Sequence, residues 1–326
     1  MITSIEIENL RGIRTGRLDG LLPLTILTGP NACGKSTVLD ALLICAHPEP
    51  GGGIRNAVQR HPATLGGSHW LLGHPEQAAF LRGKDEGGTS WDIQLRCSGE
   101  GLFPCYRIHF QGKGPNEDRF TGSIVFKTDD TPMLTTTGQV ASPIDSVRLV
   151  DPGIPVRLHK TFSAVAKETP RRQEVEDLLQ TLIPDFRQLE ILTEGNEPIL
   201  HLTTKKTSIP VALAGDGIQS LVQMALEIAA APGGLVLVEE PEVYQHPKAI
   251  WQTAKALLAS VRRGIQVVLT THSLELIDAL LAEASEKDLA GMVVFNLRLD
   301  DGELRFGRRA GQKIVFARQT LENDLR

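Results

Sequence analysis

Nine consecutive residues, 29–37, carry the side chains with the clearest chemical use in this sequence. They read GPNACGKST and fit the GxxxxGKS/T pattern of a phosphate-binding loop. Gly29 and Gly34 allow the backbone to curl so that successive N–H groups point toward a β-phosphate. Lys35 supplies a mobile positive charge, and the Ser36 hydroxyl is a hard oxygen ligand for Mg²⁺. A plain glycine-rich turn is a far weaker interpretation, because the loop follows an apolar run and precedes a helical pattern.

An apolar segment that ends in acids, LVLVEEPE over 235–242, supplies the second set of reactive side chains. Ligands of open α/β sheets bind at the carboxyl ends of the parallel strands, where these carboxylates are expected. We expect Glu239 to hold Mg²⁺, directly or through water, and Glu240 to orient or deprotonate an attacking water. A solvated strand end is the alternative, and the phosphate loop in the same chain favours the functional interpretation.

Two weaker motifs accompany them. His272 follows the buried segment 265–269, and a histidine at the end of such a strand can sense a γ-phosphate. The turn Gly215-Asp216-Gly217 precedes a predicted helix, whose free N–H groups and dipole favour an anion. An ordinary turn and helix cap is the alternative for this second motif.

Composition excludes several classes of protein. The 326 residues include 34 Lys and Arg against 39 Asp and Glu, a net charge of −5, and 41% are hydrophobic. These values exclude a mostly disordered chain and give no global basicity for coating DNA. Aromatic residues make up only 5%, so base-stacking platforms are not expected. No apolar run reaches the roughly 18 residues of a membrane span, and the N-terminus lacks a signal-peptide pattern. The four cysteines have no disulfide or metal-ligand spacing, and together these features predict a cytoplasmic protein.

The elements that must position the motifs are α/β at both ends of the chain. Strands are predicted at the N-terminus and before the phosphate loop. From Gly217 onward, helices alternate with the buried strands 235–238 and 265–269, followed by a hairpin at the Asp301-Gly302 turn. Such alternation predicts a parallel sheet covered on both faces.

The middle of the chain has less regular patterning. Residues 47–90 are predicted to be loop with at most one helix, because Gly and Pro are frequent there. Strand candidates at 91–97, 106–110 and 123–127 predict an antiparallel meander. A mobile loop is predicted over 128–143, and the spacing of apolar residues predicts a helix over 171–183.

The order of these motifs resembles that of the ABC-type ATPases. The sequence is most similar to the non-transporter branch with the RecF, SMC and OLD families, and within it to the AAA-15/AAA-21 group of prokaryotic ATPases. The resemblance rests on the opening strand IEIENLR, the phosphate loop, the segment EEPEVYQHP and the ending ENDLR. It implies an α/β, ABC-ATPase-like P-loop NTPase with a mixed sheet, N-terminal antiparallel strands and an inserted α+β or helical subdomain. The core would comprise 1–46 and 205–326, and the insertion 47–204 would hold the meander, shared in part with the core, and a helical arm.

The resemblance also implies cofactors and residue roles. ATP and Mg²⁺ are the expected cofactors, with Glu240 as the catalytic acid and His272 as a switch histidine. Gly215-Asp216-Gly217 would form the signature loop that reaches the γ-phosphate of a partner subunit's ATP. The metal would lie between Ser36 and Glu239. The nucleotide cradle would consist of Gly29, Pro30, Asn31, Ala32, Cys33, Gly34, Lys35, Ser36 and Thr37, with Arg11 as a further phosphate contact unless it is simply an exposed arginine.

This sequence departs from the family pattern at two positions. Gly215 replaces the usual Ser, and Glu239 replaces the usual Asp, which fits slow turnover. The glutamine that couples the γ-phosphate to the insertion is not identified, and Gln59 and Gln77 are equal candidates.

The leading functional hypothesis is an ATP-driven dimeric switch. By resemblance it would be the ATPase subunit of a prokaryotic anti-phage or DNA-processing complex, a homodimer or higher oligomer. Because no nuclease domain follows the ATPase core, a separate effector protein such as a nuclease is expected. A RecF-like ATPase acting directly on nucleic acid is the main alternative, supported by six basic residues over 305–326. An ABC transporter subunit is the weakest alternative, since no membrane association is expected.

Overall fold

The computed structural model describes residues 1–60, 71–98, 106–126, 133–137, 144–152, 158–183, 185–321 and 324–325. The strands are β1 (Ile2–Leu10), β2 (Ile13–Asp19), β3 (Leu24–Thr28), β4 (Ala79–Asp85), β5 (Ser90–Ser98), β6 (Tyr106–Lys113), β7 (Arg119–Phe126), β8 (Met133–Thr137), β9 (Val147–Val150), β10 (Phe186–Glu194), β11 (Glu197–Thr204), β12 (Ser208–Pro210), β13 (Leu235–Val238), β14 (Gln266–Thr270), β15 (Met292–Asp300) and β16 (Glu303–Ala310). The helices are α1 (Lys35–Ala46), α2 (Pro50–Gln59), α3 (Leu158–Ala166), α4 (Thr169–Leu182), α5 (Asp216–Ala229), α6 (Pro247–Arg262), α7 (Leu274–Glu283), α8 (Glu286–Ala290) and α9 (Gln312–Val315).

One large mixed sheet contains most of the described strands. Their order is β8-β7-β6-β5-β4-β1-β2-β16-β15-β3-β14-β13-β9. The part from β8 to β2 is antiparallel, whereas β15, β3, β14, β13 and β9 are parallel neighbours. A second sheet, β10-β11-β12, lies apart. The α/β class with a mixed sheet and N-terminal antiparallel strands is confirmed.

The parallel part of the sheet is buried on both faces. Every residue of β3, β13 and β14 is buried. Alternate side chains of β13 face opposite ways, Leu235 and Leu237 toward the apolar cluster with α1, and Val236 and Val238 toward the cluster with α5, α6 and α7. Burial on both faces explains why β13 is wholly apolar and why β3 and β14 carry only neutral side chains, so that charged side chains lie beyond the strand ends.

Residues 47–90 contain one helix, as the sequence allows, and a strand that the sequence does not predict. They contain α2 and β4, while 61–70 fall outside the described residues. The helix forms despite three successive glycines because it packs closely on α1: a Cβ at Gly53 would lie 2.5 Å from the carbonyl oxygen of Leu43. In β4, Gly83 makes room for Trp91, whose ring would lie 2.5 Å from a Cβ there. Tertiary packing therefore overrides the local signals that predict a loop.

The antiparallel meander is confirmed, since β5, β6 and β7 pair in sequence. The predicted loop over 128–143 contains β8, and the rest of that stretch lies outside the described residues. β4 pairs with β1, so the meander continues the same sheet as the N-terminal strands. The helix predicted over 171–183 is α4, which packs with α3, β10, β11 and α5 around a third apolar cluster. The division into a core and an insertion stays a prediction.

Asp288, at the start of α8, supplies a test of stability. Its carboxylate forms a capping box with Ser285 and accepts a hydrogen bond from Arg262 Nη2 at 2.7 Å. The bonds from Arg262 hold the pKa of this carboxyl well below its ordinary value. A depressed pKa stabilises the fold above the unfolded value of about 4, and this stabilisation is lost as the pH falls further.

We therefore expect Asp288→Asn to lower the free energy of unfolding at pH 7 by about 2 kcal/mol. Ser285→Ala should cost about 1 kcal/mol through loss of the cap alone. Urea denaturation at pH 7 and pH 3 measures both effects, and the gap between Asp288→Asn and the wild type should narrow at pH 3. An Asp288→Asn protein as stable as the wild type at pH 7 would contradict this account.

Candidate nucleotide-binding site

The phosphate loop joins β3 to α1 with a backbone that only certain residues allow. Gly29 has φ of 136°, and a Cβ there would lie 2.4 Å from the carbonyl oxygen of Leu297. Gly34, at the N-cap of α1, has φ of 97°, and Ala32 has φ of 62°. Glycine is therefore required at the first of these positions by both conformation and space. The loop ends at the N-terminus of α1, where free N–H groups and the helix dipole favour phosphate.

The Lys35 side chain folds back over the phosphate loop. Its buried Nζ donates hydrogen bonds to the carbonyl oxygens of Gly29 and Pro30, both at 3.0 Å. The adjoining pocket has a volume of about 420 Å³, within the roughly 300–1,000 Å³ range of ligand sites. The residues that line it are Gly12, Asn31, Ala32, Gly34, Lys35, Ser36, Thr37, Glu240, His272 and Leu299. The pocket thus joins most of the predicted cradle to both predicted catalytic side chains.

Ser36 and Glu239 are in direct contact although 203 positions separate them in the chain. The Ser36 hydroxyl donates a hydrogen bond to Glu239 Oε1. A hydroxyl and a carboxylate side by side, next to a phosphate-binding loop, form the set of hard oxygen donors that Mg²⁺ takes. The chemistry of these two side chains therefore fits the ion that the sequence predicts.

Glu240 and His272 also lie together at the strand ends. His272 Nε2 is 3.5 Å from Glu240 Oε1, and both side chains are about one-third exposed, at 35% each. Glu240 has φ of 39°, a left-handed conformation that is costly for a non-glycine residue. Its backbone N–H donates to the carbonyl oxygen and to the hydroxyl of Thr270, which holds this turn against β14.

Glu242 is a site residue to which the sequence analysis assigned no role. Its Oε1 accepts hydrogen bonds from the Thr271 hydroxyl at 2.6 Å and from the His272 backbone N–H at 2.9 Å. The carboxylate therefore fixes the loop after β14 and with it the position of the His272 ring. Its place two residues after Glu240, in a run of acids at a strand end, was a signal that could have identified it.

Arg11 does not line the pocket, contrary to the expectation of a phosphate contact. Its Nε lies 2.6 Å from Asp40 Oδ2, and its Nη2 donates to the carbonyl oxygen of Ala57 at 3.1 Å. The simpler alternative of an exposed arginine is also wrong, because the side chain is only 18% exposed. The carboxylate of Asp40, which is fully buried, attracts the guanidinium away from the phosphate loop.

The glycine turn stands apart from the pocket lining. Gly215 is the N-cap of α5 with φ of 90°, and Gly217 packs so closely that a Cβ there would lie 2.8 Å from the carbonyl oxygen of Tyr244. The turn is solvent-accessible, and the neighbouring apolar side chains Leu213 and Tyr244 are 78% and 62% exposed. Neither Gln59 nor Gln77, the candidates for a coupling glutamine, lines the pocket.

Two of the basic residues near the end of the chain form ion pairs. Arg305 pairs with Glu303 at 3.0 Å and with Asp300 at 3.5 Å. Arg318 pairs with Asp278 at 2.7 Å. Ion pairing reduces the positive charge that these two side chains offer to nucleic-acid phosphates.

Comparison with known proteins finds two matching family models and several relatives. The family described as AAA ATPase domain matches residues 152–277, and the family described as AAA domain matches residues 4–130. An uncharacterized protein of Methanocaldococcus jannaschii is 35% identical over 34% of this chain and 98% of its own length. The ATP/GTP phosphatase of Helicobacter pylori is 22% identical over 99% of both chains. The Old nuclease of Escherichia phage P2 is 26% identical over 42% of this chain and 23% of its own length.

Among solved structures, an SMC head domain bound to the C-terminal winged-helix domain of ScpA has the same fold, with a TM-score of 0.53 at 11% identity. The alignment covers 96% of this chain and 99% of that one. The two family models, these relatives and this fold together support an ABC/SMC/OLD-like P-loop ATPase. It is an ATP-hydrolysing enzyme. No helix among the described residues of this ATPase is long and apolar enough to cross a membrane.

The bonds of Glu242 lead to a prediction for this ATPase. Glu242→Ala removes both hydrogen bonds to the loop that carries His272, and we expect kcat for ATP hydrolysis to fall about tenfold, the effect of losing about 1.4 kcal/mol. The KM for ATP should change little, because the phosphate loop is untouched. Steady-state ATPase assays test this, with Glu242→Gln as the control that keeps the accepting oxygen and most of the activity. Equal activity of Glu242→Ala and the wild type would show that the loop does not need this anchor.

Proposed function

We propose that this ATPase is a dimeric switch that closes on ATP and reopens after hydrolysis. The observation that carries the proposal is that one pocket brings the phosphate loop together with Glu240 and His272. In it, Lys35 would bind the β- and γ-phosphates, and Ser36 and Glu239 would hold Mg²⁺. The ion would screen phosphate charge and orient the γ-phosphate for attack.

Glu240 acts on the attacking water. Its carboxylate is partly exposed at the pocket and lies 3.5 Å from His272 Nε2. A carboxylate placed so can orient the water or take its proton, while the imidazole contacts the γ-phosphate. The strained backbone at Glu240 supports this assignment, since such conformations are concentrated at functional sites.

A second copy of the chain completes the site. Gly215-Asp216-Gly217 begins α5 outside the pocket lining, so a γ-phosphate bound at Lys35 would meet this turn only from another subunit. Two large apolar side chains beside the turn, Leu213 and Tyr244, are exposed, as expected of the core of an interface that is open. We infer a homodimer or higher homo-oligomer with ATP between the subunits.

The proposed cellular role rests on the resemblance to the OLD family. Old nuclease of phage P2 shares less than one-quarter of its own length with this chain, and its nuclease activity is a property of that protein. We propose that this ATPase serves a prokaryotic anti-phage or DNA-processing complex in the cytoplasm, with a separate effector protein, a nuclease in the simplest case. The effector would read the change between open and closed dimers.

The mass of the protein in solution tests the switch. Glu240→Gln removes the proposed base while keeping the shape of the side chain, so it should trap the closed state. We expect light scattering to show a doubling of mass when ATP and Mg²⁺ are added to this variant, and none when Mg²⁺ is replaced by EDTA. A monomer under both conditions would contradict dimerisation, and an unchanged oligomer would contradict nucleotide control of it.

A matched control addresses the interface. Adding Leu213→Asp to Glu240→Gln places a charge on a side chain that is 78% exposed, which the monomer should tolerate. We expect this double variant to bind ATP but to stay monomeric. Gly217 is less suitable for substitution, because any Cβ would meet the Tyr244 carbonyl at 2.8 Å and disturb the subunit itself.

A further inference from the structure

Arg60 is a buried arginine beside the proposed metal ligands, and no role has yet been given to it. It follows the C-terminal end of α2, and its side chain is only 1% exposed. Three carboxylates from three separate elements contact it: Asp40 of α1, Asp151 after β9 and Glu239 after β13. Burying a guanidinium so completely is costly unless it is fully paired, so this position is tightly specified.

The contacts divide the oxygens of Glu239 between two partners. Arg60 Nη2 contacts Glu239 Oε2, whereas the Ser36 hydroxyl contacts Oε1. The guanidinium is itself fixed, because Nη1 lies 2.5 Å from Asp40 Oδ1 and Nε lies 3.1 Å from Asp151 Oδ2. The carboxylate of Glu239 is therefore held on one side and left facing Ser36 on the other.

Helix α1 closes this arrangement. Ser36 and Asp40 are four residues apart and so lie on the same face of the helix, one turn from each other. Asp40 holds Arg60, Arg60 holds Glu239, and Glu239 meets Ser36. The contacts run from Asp40 through Arg60 and Glu239 to Ser36, and the backbone of α1 joins the two ends, so a displacement of the arginine would move the carboxylate relative to the serine.

We propose that Arg60 is a positioning residue for Mg²⁺ binding: it pins Oε2 of Glu239 so that Oε1 and the Ser36 hydroxyl face the ion together. This inference rests on the proposed assignment of Mg²⁺ to Ser36 and Glu239. Arg60 does not contact the ion, since it occupies the opposite oxygen. The planar guanidinium donates hydrogen bonds in fixed directions and can hold three carboxylates at once. A lysine ammonium has no such planar geometry.

The same geometry explains why glutamate stands at this position. A carboxylate that must reach both Arg60 and Ser36 gains reach from the extra methylene of Glu239. The longer side chain of Glu239 has more accessible rotamers than an aspartate, and the contact with Arg60 restricts them. Glu239→Asp should therefore weaken Mg²⁺ binding, although aspartate is the shorter and more rigid ligand.

Titration of Mg²⁺ into the full-length protein tests the role of Arg60. The probe is a fluorescent, non-hydrolysable ATP analogue, whose binding is followed as a function of Mg²⁺ concentration and separately in EDTA. We define the Mg²⁺ midpoint as the Mg²⁺ concentration at which half of the Mg²⁺-dependent binding of the analogue is reached. We expect Arg60→Lys to raise this midpoint about tenfold, while the affinity for the analogue in EDTA stays unchanged. A purely structural arginine would lower the melting temperature without moving the Mg²⁺ midpoint, which would overturn the proposal.

Arg11→Lys is the matched control. Arg11 pairs with the same Asp40 but does not contact Glu239, so this change disturbs the shared carboxylate and spares the ligand. We expect it to lower the melting temperature and to leave the Mg²⁺ midpoint where it is. An equal rise in the midpoint for Arg11→Lys and Arg60→Lys would overturn a specific role for Arg60.

Two further variants separate the possible failures. If Glu239→Ala leaves the Mg²⁺ midpoint unchanged, the assignment of the metal is wrong. If Glu239→Ala raises it and Arg60→Lys does not, the assignment holds and the positioning role is wrong. Should Arg60→Lys fail to fold, Asp151→Asn carries the test, because it weakens one contact of Arg60: a rise of about threefold supports the role, and an unchanged midpoint overturns it.

Discussion

The parallel register of three strands determines where the chemistry of this protein lies. β3 pairs with β14 so that Leu27 stands opposite Thr270, and β14 pairs with β13 so that Leu269 stands opposite Val238. All three strands are buried and carry no charged side chain along their length. Because they end at the same edge, the phosphate loop, the acidic turn and the histidine loop leave the sheet side by side. A slip of one residue would exchange side chains between the two apolar clusters and shift the three loops relative to one another.

The loops at this edge contain a strained backbone and buried charges, each of which would destabilise the fold without its hydrogen-bond or ion-pair partners. Glu240 has a left-handed conformation, and the bonds from its N–H to Thr270 tie that turn to β14. Asp40 and Arg60 are almost wholly removed from solvent, which is tolerable only because each charge has opposite partners. The apolar clusters on both faces of the sheet supply the stabilisation that lets such a site persist.

The sequence predicted the parts of the site that depend on neighbours in the chain. The phosphate loop, the acidic strand end and the histidine each follow a buried strand, and periodicity is enough to find them. It failed where contacts are long-range. Helix α2 contains three glycines and forms through its packing on α1, so the sequence allowed one helix within 47–90 but did not locate it. Arg11 was expected at the phosphates because nothing in its local sequence reveals Asp40 as its partner. Glu242 was visible as an acid, but its bonds to the histidine loop were not.

The buried arginine also links the proposed metal ligands, through Asp151, to helix α5, which begins at the glycine turn. Asp151, which holds Arg60, accepts a hydrogen bond through its carbonyl oxygen from Gln223 of α5 at 3.4 Å. Gln223 is buried two turns along the helix from Asp216 at its start. In the proposed dimer, a second subunit that pressed on the glycine turn would move α5 as a rigid helix. The Gln223 side chain, which donates to the Asp151 carbonyl oxygen, would move with it. Binding of the second subunit and binding of the metal would then share a coupling free energy, and linkage requires each to strengthen the other equally.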